Sequence, residues 1–150
     1  MKMKTFMLVF SAALAASSAF SAAARDEHLM FPIKSALEKG KTTKNSIDPK
    51  IRLHFGKQGG PAVAKTIGEW TANRKTNTAH KSDQEACEIA FVSAVVSLQE
   101  RARNEGGDAV INIRSVYRNE NRESASQYLC GAGTFVAGVG LRGTVVKLKK

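Results

Sequence analysis

The chain has 150 residues, a formal net charge of +10 and two cysteines. That length holds one domain rather than several, and a core of this size is stable without a structural metal or a dense set of crosslinks. Two isolated cysteines with no histidine nearby do not make a tetrahedral metal set. The basic excess points instead to polyanions (nucleic acid, anionic lipid headgroups or acidic glycans) or to a solvated surface with no dedicated partner.

Residues 1–24 read as a secretory signal peptide. Lys2 and Lys4 supply the positive start, the run from Phe6 to Phe20 is apolar or small and uncharged, and Ala22-Ala23-Ala24 offers small residues for cleavage before Arg25-Asp26-Glu27. A membrane anchor or an amphipathic core helix fits less well, because hydrophobicity collapses into Ala and Ser where a spanning helix would continue. No cysteine stands near the cleavage point, so lipoprotein processing is not expected, and cleavage after about Ala24 gives a soluble periplasmic product. Losing Lys2 and Lys4 lowers the formal charge from +10 to +8. Export makes nucleic acid the least fitting polyanion. In an oxidising compartment Cys87 and Cys130 are expected to pair. Closing that loop would contribute roughly 4 kcal/mol in the chain-entropy picture. A reactive thiol or a metal site is the alternative.

Residues 25–48 form a polar lead segment with an apolar patch from Leu29 to Ile33, and residues 49–150 form the single domain on which it packs. Asp48-Pro49 reads as a turn. Ile51, Leu53 and Phe55 alternate with Arg52 and His54, the pattern of a half-buried strand. Glycines from Gly56 to Pro61 break it. A second extended stretch runs from about Val63 to Thr71, and the chain is then polar through Asn77.

Ser82-Asp83-Gln84-Glu85 is a capping box, with acidic residues placed at the positive end of a helix dipole. The helix should run to about Asn104 and stop at Gly106-Gly107. At 100° per residue Cys87, Ala90, Phe91, Ala94, Val95, Leu98 and Ala102 share one face, which puts Cys87 on the core side. A smaller stripe, Ile89, Val92 and Val96, lies nearly opposite. Either the lead segment or another subunit covers it, and the lead segment is favoured because Leu29, Met30, Phe31 and Ile33 otherwise lack a home.

Ala109, Ile111 and Ile113 alternate with Val110, Asn112 and Arg114 as a strand. Residues 118–126 read as a polar hairpin loop, and Tyr128 and Cys130 begin the return strand. From Gly131 to Leu148, Phe135, Val139, Leu141 and Val145 are interrupted by Gly138, Gly140 and Gly143, the mark of a long bent or bulged strand against which something packs closely. The fold class expected is α+β, an antiparallel sheet packed against one long helix (about 82–105) and stapled by a disulfide.

Ala94 to Val110, with Leu98, Glu100, Ala102, Gly106-Gly107 and Asp108-Ala109-Val110, resembles the helix-to-strand signature of the YbjQ-type small domains, sometimes called heavy-metal-binding. The periplasmic domain of the Rcs stress-sensor lipoprotein shares that signature. Gly107 stands where the signature has Ala. The resemblance implies an α+β fold stapled by disulfides and a role in sensing or binding. It transfers neither the lipid anchor nor a metal site, since there is no lipidated cysteine and the cysteines are expected to pair. Over its expected mature length the chain is also similar to a group of small exported bacterial proteins. The likeness rests on Phe55-Gly56-Lys57, Ala72-Asn73-Arg74-Lys75-Thr76-Asn77, Cys87, Gln99-Glu100-Arg101-Ala102 and a Gly-rich end. Many of these are labelled excinuclease ATPase subunit. The label fails on chemistry: a phosphate-binding loop needs G-x-x-x-x-G-K-[ST] between a buried strand and a helix. The nearest run, Ser35 to Thr42, has Ser35 in place of the first glycine, and Gly40-Lys41-Thr42 reads as a solvated turn.

No catalytic motif appears. His28, His54 and His80 stand apart from any serine or cysteine at motif spacing, and G-x-S-x-G and H-E-x-x-H are absent. His54 alternates outward on its strand. Trp70 reads as a core anchor in preference to a binding aromatic. Arg74, Lys75 and Lys81 are the candidate polyanion patch, without the interleaved aromatics of nucleic-acid binders. Ile89, Val92 and Val96 are the candidate partner stripe. The reading is a soluble periplasmic, non-enzymatic binding or envelope-stress module that meets an envelope protein or an anionic envelope polymer, with no cofactor, no metal and no transmembrane segment after cleavage. The alternatives are an envelope enzyme whose site is assembled only in three dimensions, and a metal-binding module.

Overall fold

The computed structural model describes residues 24–43, 46–57 and 60–150, and residues 1–23 of the expected signal peptide lie outside them. In chain order the elements are β1 (Asp26–Pro32), α1 (Ile33–Gly40), β2 (Arg52–Phe55), β3 (Val63–Asn77), α2 (Asp83–Asn104), β4 (Ala109–Tyr117), β5 (Glu120–Arg122), β6 (Gln127–Gly133) and β7 (Val136–Leu148). The strands form one seven-stranded sheet. β7 is its spine. β3 runs antiparallel along one side of β7, while β6 takes the start of the other side and β4 the end. β1 extends the sheet beyond β6, and β5 folds back on β4.

Two expectations need correction. The sheet is mixed, because β2 lies parallel to β4. The chain passes through β3 and α2 between them, and only a crossover of that length returns a strand in the same direction. There are also two helices instead of one. α1 has eight residues and buries Ile33, Ala36 and Gly40, a helical spacing too short to stand out in the sequence. The lead residues thus divide: β1 joins the sheet edge and α1 lies on α2. Gly40 is needed at that crossing, since a Cβ there would stand 2.7 Å from Ile47 Cδ1 and 3.0 Å from Val92 Cγ2.

α2 is bounded by its own sequence. Ser82 Oγ accepts from the Glu85 amide at 3.1 Å. At the other end Gly106 takes φ +76°, its amide donates to the Arg103 carbonyl at 3.1 Å and the Gly107 amide donates to the Ala102 carbonyl at 2.8 Å. This is the paired closure that a left-handed glycine allows. Cys87, Ala90, Phe91, Ala94, Val95, Leu98 and Ala102 are all buried on the sheet side. Phe91 stacks on Tyr128 of β6 at 4.1 Å between ring centroids, and Cys87 is bonded to Cys130 two residues further along β6, with Cα atoms 5.9 Å apart. Gln99, buried on α2, ties down the connection before β2. Its side-chain nitrogen donates to the carbonyls of Asp48 and Ile51, both at 2.8 Å, and its oxygen accepts from the Asp48 amide at 2.9 Å.

Simple alternation also fails on β4. Its register against β7 shifts between Ile111 and Arg114, with Asn112 at φ +50°. The bulge breaks the expected Ala109–Ile111–Ile113 face: Val110 and Ile113 enter the core under α2, and Ile111 does not. Beyond the bulge β4 curls over glycines of β6 and β7 on the sheet face away from α2. A Cβ on Gly140 would stand 2.0 Å from the Val116 carbonyl oxygen, and one on Gly131 would stand 2.1 Å from Tyr117 Cζ. These glycines therefore seat Val116 and Tyr117 directly on the sheet backbone.

Candidate binding groove

The one deeply buried carboxylate of α2, Glu88, sits at the floor of an open groove between α1 and the first half of α2. It retains 3% of its exposed surface. Two partners hold it: Gln84, one helical turn earlier, donates from Nε2 at 3.1 Å, and Lys39 of α1 reaches across to form an ion pair. A buried carboxylate needs such partners, because ionised groups are costly to remove from water uncompensated. Lys39 itself is largely exposed, so the pair forms a lid on the carboxylate instead of a sealed core contact. Beneath them, burial and the Glu88 charge hold the Tyr128 hydroxyl well above the usual tyrosine range. The groove encloses about 770 Å³. Ile89 and Val92 form its apolar wall, while Ser82, Glu85 and Ser93 add polar groups to its rim.

The Ile89–Val92–Val96 stripe is unevenly covered. Gly40 packs against both Ile47 and Val92, Val96 is half-buried, and Ile89 remains 41% exposed. The open end of the stripe is the groove wall.

Arg74, Lys75 and Lys81 do not form one cluster. Consecutive strand residues point to opposite faces. Arg74 pairs with Val139 on the helix side and donates to Ser97 Oγ of α2. Lys75 pairs with Gly138 on the other face, beside the Tyr117 ring. Lys81 donates from Nζ to Asn77 Oδ1 at 2.8 Å. Trp70 is half-buried against the core, and the Arg101 guanidinium lies 5.7 Å over its ring.

Residues of catalytic type come together in two places. His54 is half-buried in an open cleft that α1 and residues 125–126 line with it. The cleft of about 560 Å³ so formed also contains Glu38 and Ser126. No hydrogen bond links these three: Glu38 holds Lys41 at 2.9 Å, and Ser126 faces the Ser124 hydroxyl at 3.4 Å. A nucleophile, base and orienting acid connected in series are therefore not assembled there. The second place is the sheet face away from α2, where His28 of β1 bonds Glu120 through Nδ1 and meets the Tyr117 ring edge-on at 5.3 Å. His28 and Arg122 hold the Glu120 carboxyl below the usual range. This pairing, like Lys39 with Glu88, joins residues distant in sequence, and no local spacing signals it. Among the described residues no three His, Cys, Asp or Glu side chains converge as a metal site, and no helix is long and apolar enough to cross a membrane.

No protein family, curated protein or solved structure matches this chain.

Proposed function

We propose that this chain is an exported, non-enzymatic binding module of the bacterial envelope, and that the α1–α2 groove is its ligand face. The observation that carries the reading is a buried carboxylate, Glu88, held at the floor of an open groove beside the exposed Ile89. An exposed isoleucine next to a second apolar wall residue gives a partner side chain a place to bury surface. The groove is also locally acidic within a basic chain. Among the described residues Glu85 and Glu88 face Lys39 alone, so the complementary partner is a protein segment that sets a Lys or Arg beside an apolar side chain. The Cys87–Cys130 bond and the apolar, uncharged run from Phe6 to Phe20 support delivery to an oxidising compartment.

The test is capture from an envelope extract on three columns, carrying the parent protein, Ile89→Asp and the double variant Lys75→Glu/Lys81→Glu. A discrete protein retained by the parent and the double variant and lost on Ile89→Asp is the expected result. Retention by Ile89→Asp at the parent level would remove the groove as the binding face.

A further inference from the structure

Phe135 is 81% exposed, the most exposed large apolar side chain among the described residues, and its neighbour Val136 is 47% exposed. They lie where β6 turns into β7, so the aromatic ring is carried at a tip. That tip is held. The Thr78 amide donates to the Phe135 carbonyl at 3.0 Å, and Thr78 Oγ1 donates to the Thr134 carbonyl at 2.7 Å. The ring is thus presented to solvent by a braced turn.

The charges around this end are mixed in sign, and they differ in whether they are paired. Glu27 and Asp83 share one cation, Arg25, and Asp26 is paired with Arg118 at 3.0 Å. Glu85 faces the α1–α2 groove. Lys75 and Lys81 have no carboxylate partner among the described residues; Lys81 donates to Asn77, which follows Lys75 by two residues on β3 and pairs with Val136. The chain also enters the fold here, since Asp26 pairs with Gly133 at the base of the turn.

We infer that this end is a membrane-contact tip: Phe135 and Val136 enter the interfacial layer of an anionic bilayer, with Lys75 and Lys81 over the lipid headgroups. Phenylalanine is among the side chains that bury at the headgroup–acyl boundary. Lysines beside them gain from the negative surface potential and can keep their ammonium groups in the headgroup layer. The contact is peripheral and reversible, as suits two apolar side chains and two charges. It is independent of the α1–α2 groove, on the other side of α2's first turn, so either can fail without the other.

The test is flotation of the disulfide-bonded protein, in the form the cell produces, with vesicles of phosphatidylglycerol and phosphatidylcholine or of phosphatidylcholine alone. Co-flotation with the anionic vesicles only, reversed by about 0.5 M salt, is expected. Phe135→Ser should lower partitioning at least about ten-fold. Lys75→Glu/Lys81→Glu should lower it about thirty-fold or more. Phe135 makes no core contact, so the Phe135→Ser variant should melt with the parent, and circular dichroism checks this. Equal flotation with neutral vesicles, a folded Phe135→Ser variant that floats like the parent, or retention on a soluble acidic glycan without flotation would each overturn the inference.

Discussion

Tyr128 is the residue whose environment departs furthest from its chemistry. Its ring stacks on Phe91, while its hydroxyl makes no hydrogen bond to any described residue and lies near the Glu88 charge. Burial and that charge raise the pKa of the phenol in the fold. The unfolded chain then gives up the proton near pH 10 while the folded one keeps it, so the stability this site contributes is complete below about pH 10 and falls as pH rises further. Tyr128→Phe keeps the stacking and deletes only the unpaired hydroxyl. Its expected cost at pH 7 is within about 1 kcal/mol, and its urea midpoint should fall less than the parent's between pH 9 and pH 11. Matching alkaline losses in the two proteins would show that Tyr128 does not titrate as described. Glu88 behaves differently, because its partners are specific. Lys39→Ala leaves the carboxylate with the Gln84 amide and water admitted through the groove, and a moderate loss of about 1–2 kcal/mol is expected. Thermal melts of Lys39→Ala and Lys39→Ala/Glu88→Gln measure it, with the second change restoring part of the loss.

At the scale of elements, what the sequence disclosed depended on whether the determining contacts were local. α2 was legible because its cap, its left-handed glycine and its apolar face all lie within the segment itself. α1 was not, since eight residues with three buried positions carry too little periodic signal. The direction of β2 was hidden for another reason: alternation defines a strand and its buried face but says nothing about which neighbour it pairs with. The groove was half legible. Ile89, Val92 and Val96 form a readable stripe, whereas the ion pair that floors it links Lys39 to Glu88 across two helices. His54 shows the same limit, since the cleft it lines is completed by α1 and residues 125–126, distant from it in sequence. The glycines of β7 announced close packing without naming its partner, which is the curled end of β4. Gly140→Ala tests that contact. Its new methyl would meet the Val116 carbonyl, a backbone atom that cannot rotate away, so a loss of about 3 kcal/mol is expected from urea unfolding. A loss under about 0.5 kcal/mol would mean that β4 does not lie on Gly140.

At the scale of the molecule, one long strand organises both faces. On one side of β7 the core is closed by α2 and pinned at its edge by Cys87–Cys130, and on the other the glycines receive β4. The disulfide ties the start of α2 to β6, elements 43 residues apart in sequence. Cys87→Ala/Cys130→Ala should lose about 2–4 kcal/mol, read as a lower urea midpoint. An unchanged midpoint would make the bond incidental to stability. The same bond fixes the floor of the groove, because Glu88 follows Cys87 directly and Tyr128 precedes Cys130 by two residues. The central claim, that the groove between α1 and α2 is where this protein takes hold of a partner, is tested most directly by a photo-crosslinking residue. It is placed at position 89 and, as control, at the exposed position 121 on the β4–β5 hairpin, in the disulfide-bonded protein exposed to envelope extract. One discrete crosslinked protein from position 89, absent from position 121, is the result expected. No adduct from position 89, or the same set of adducts from both positions, would contradict it.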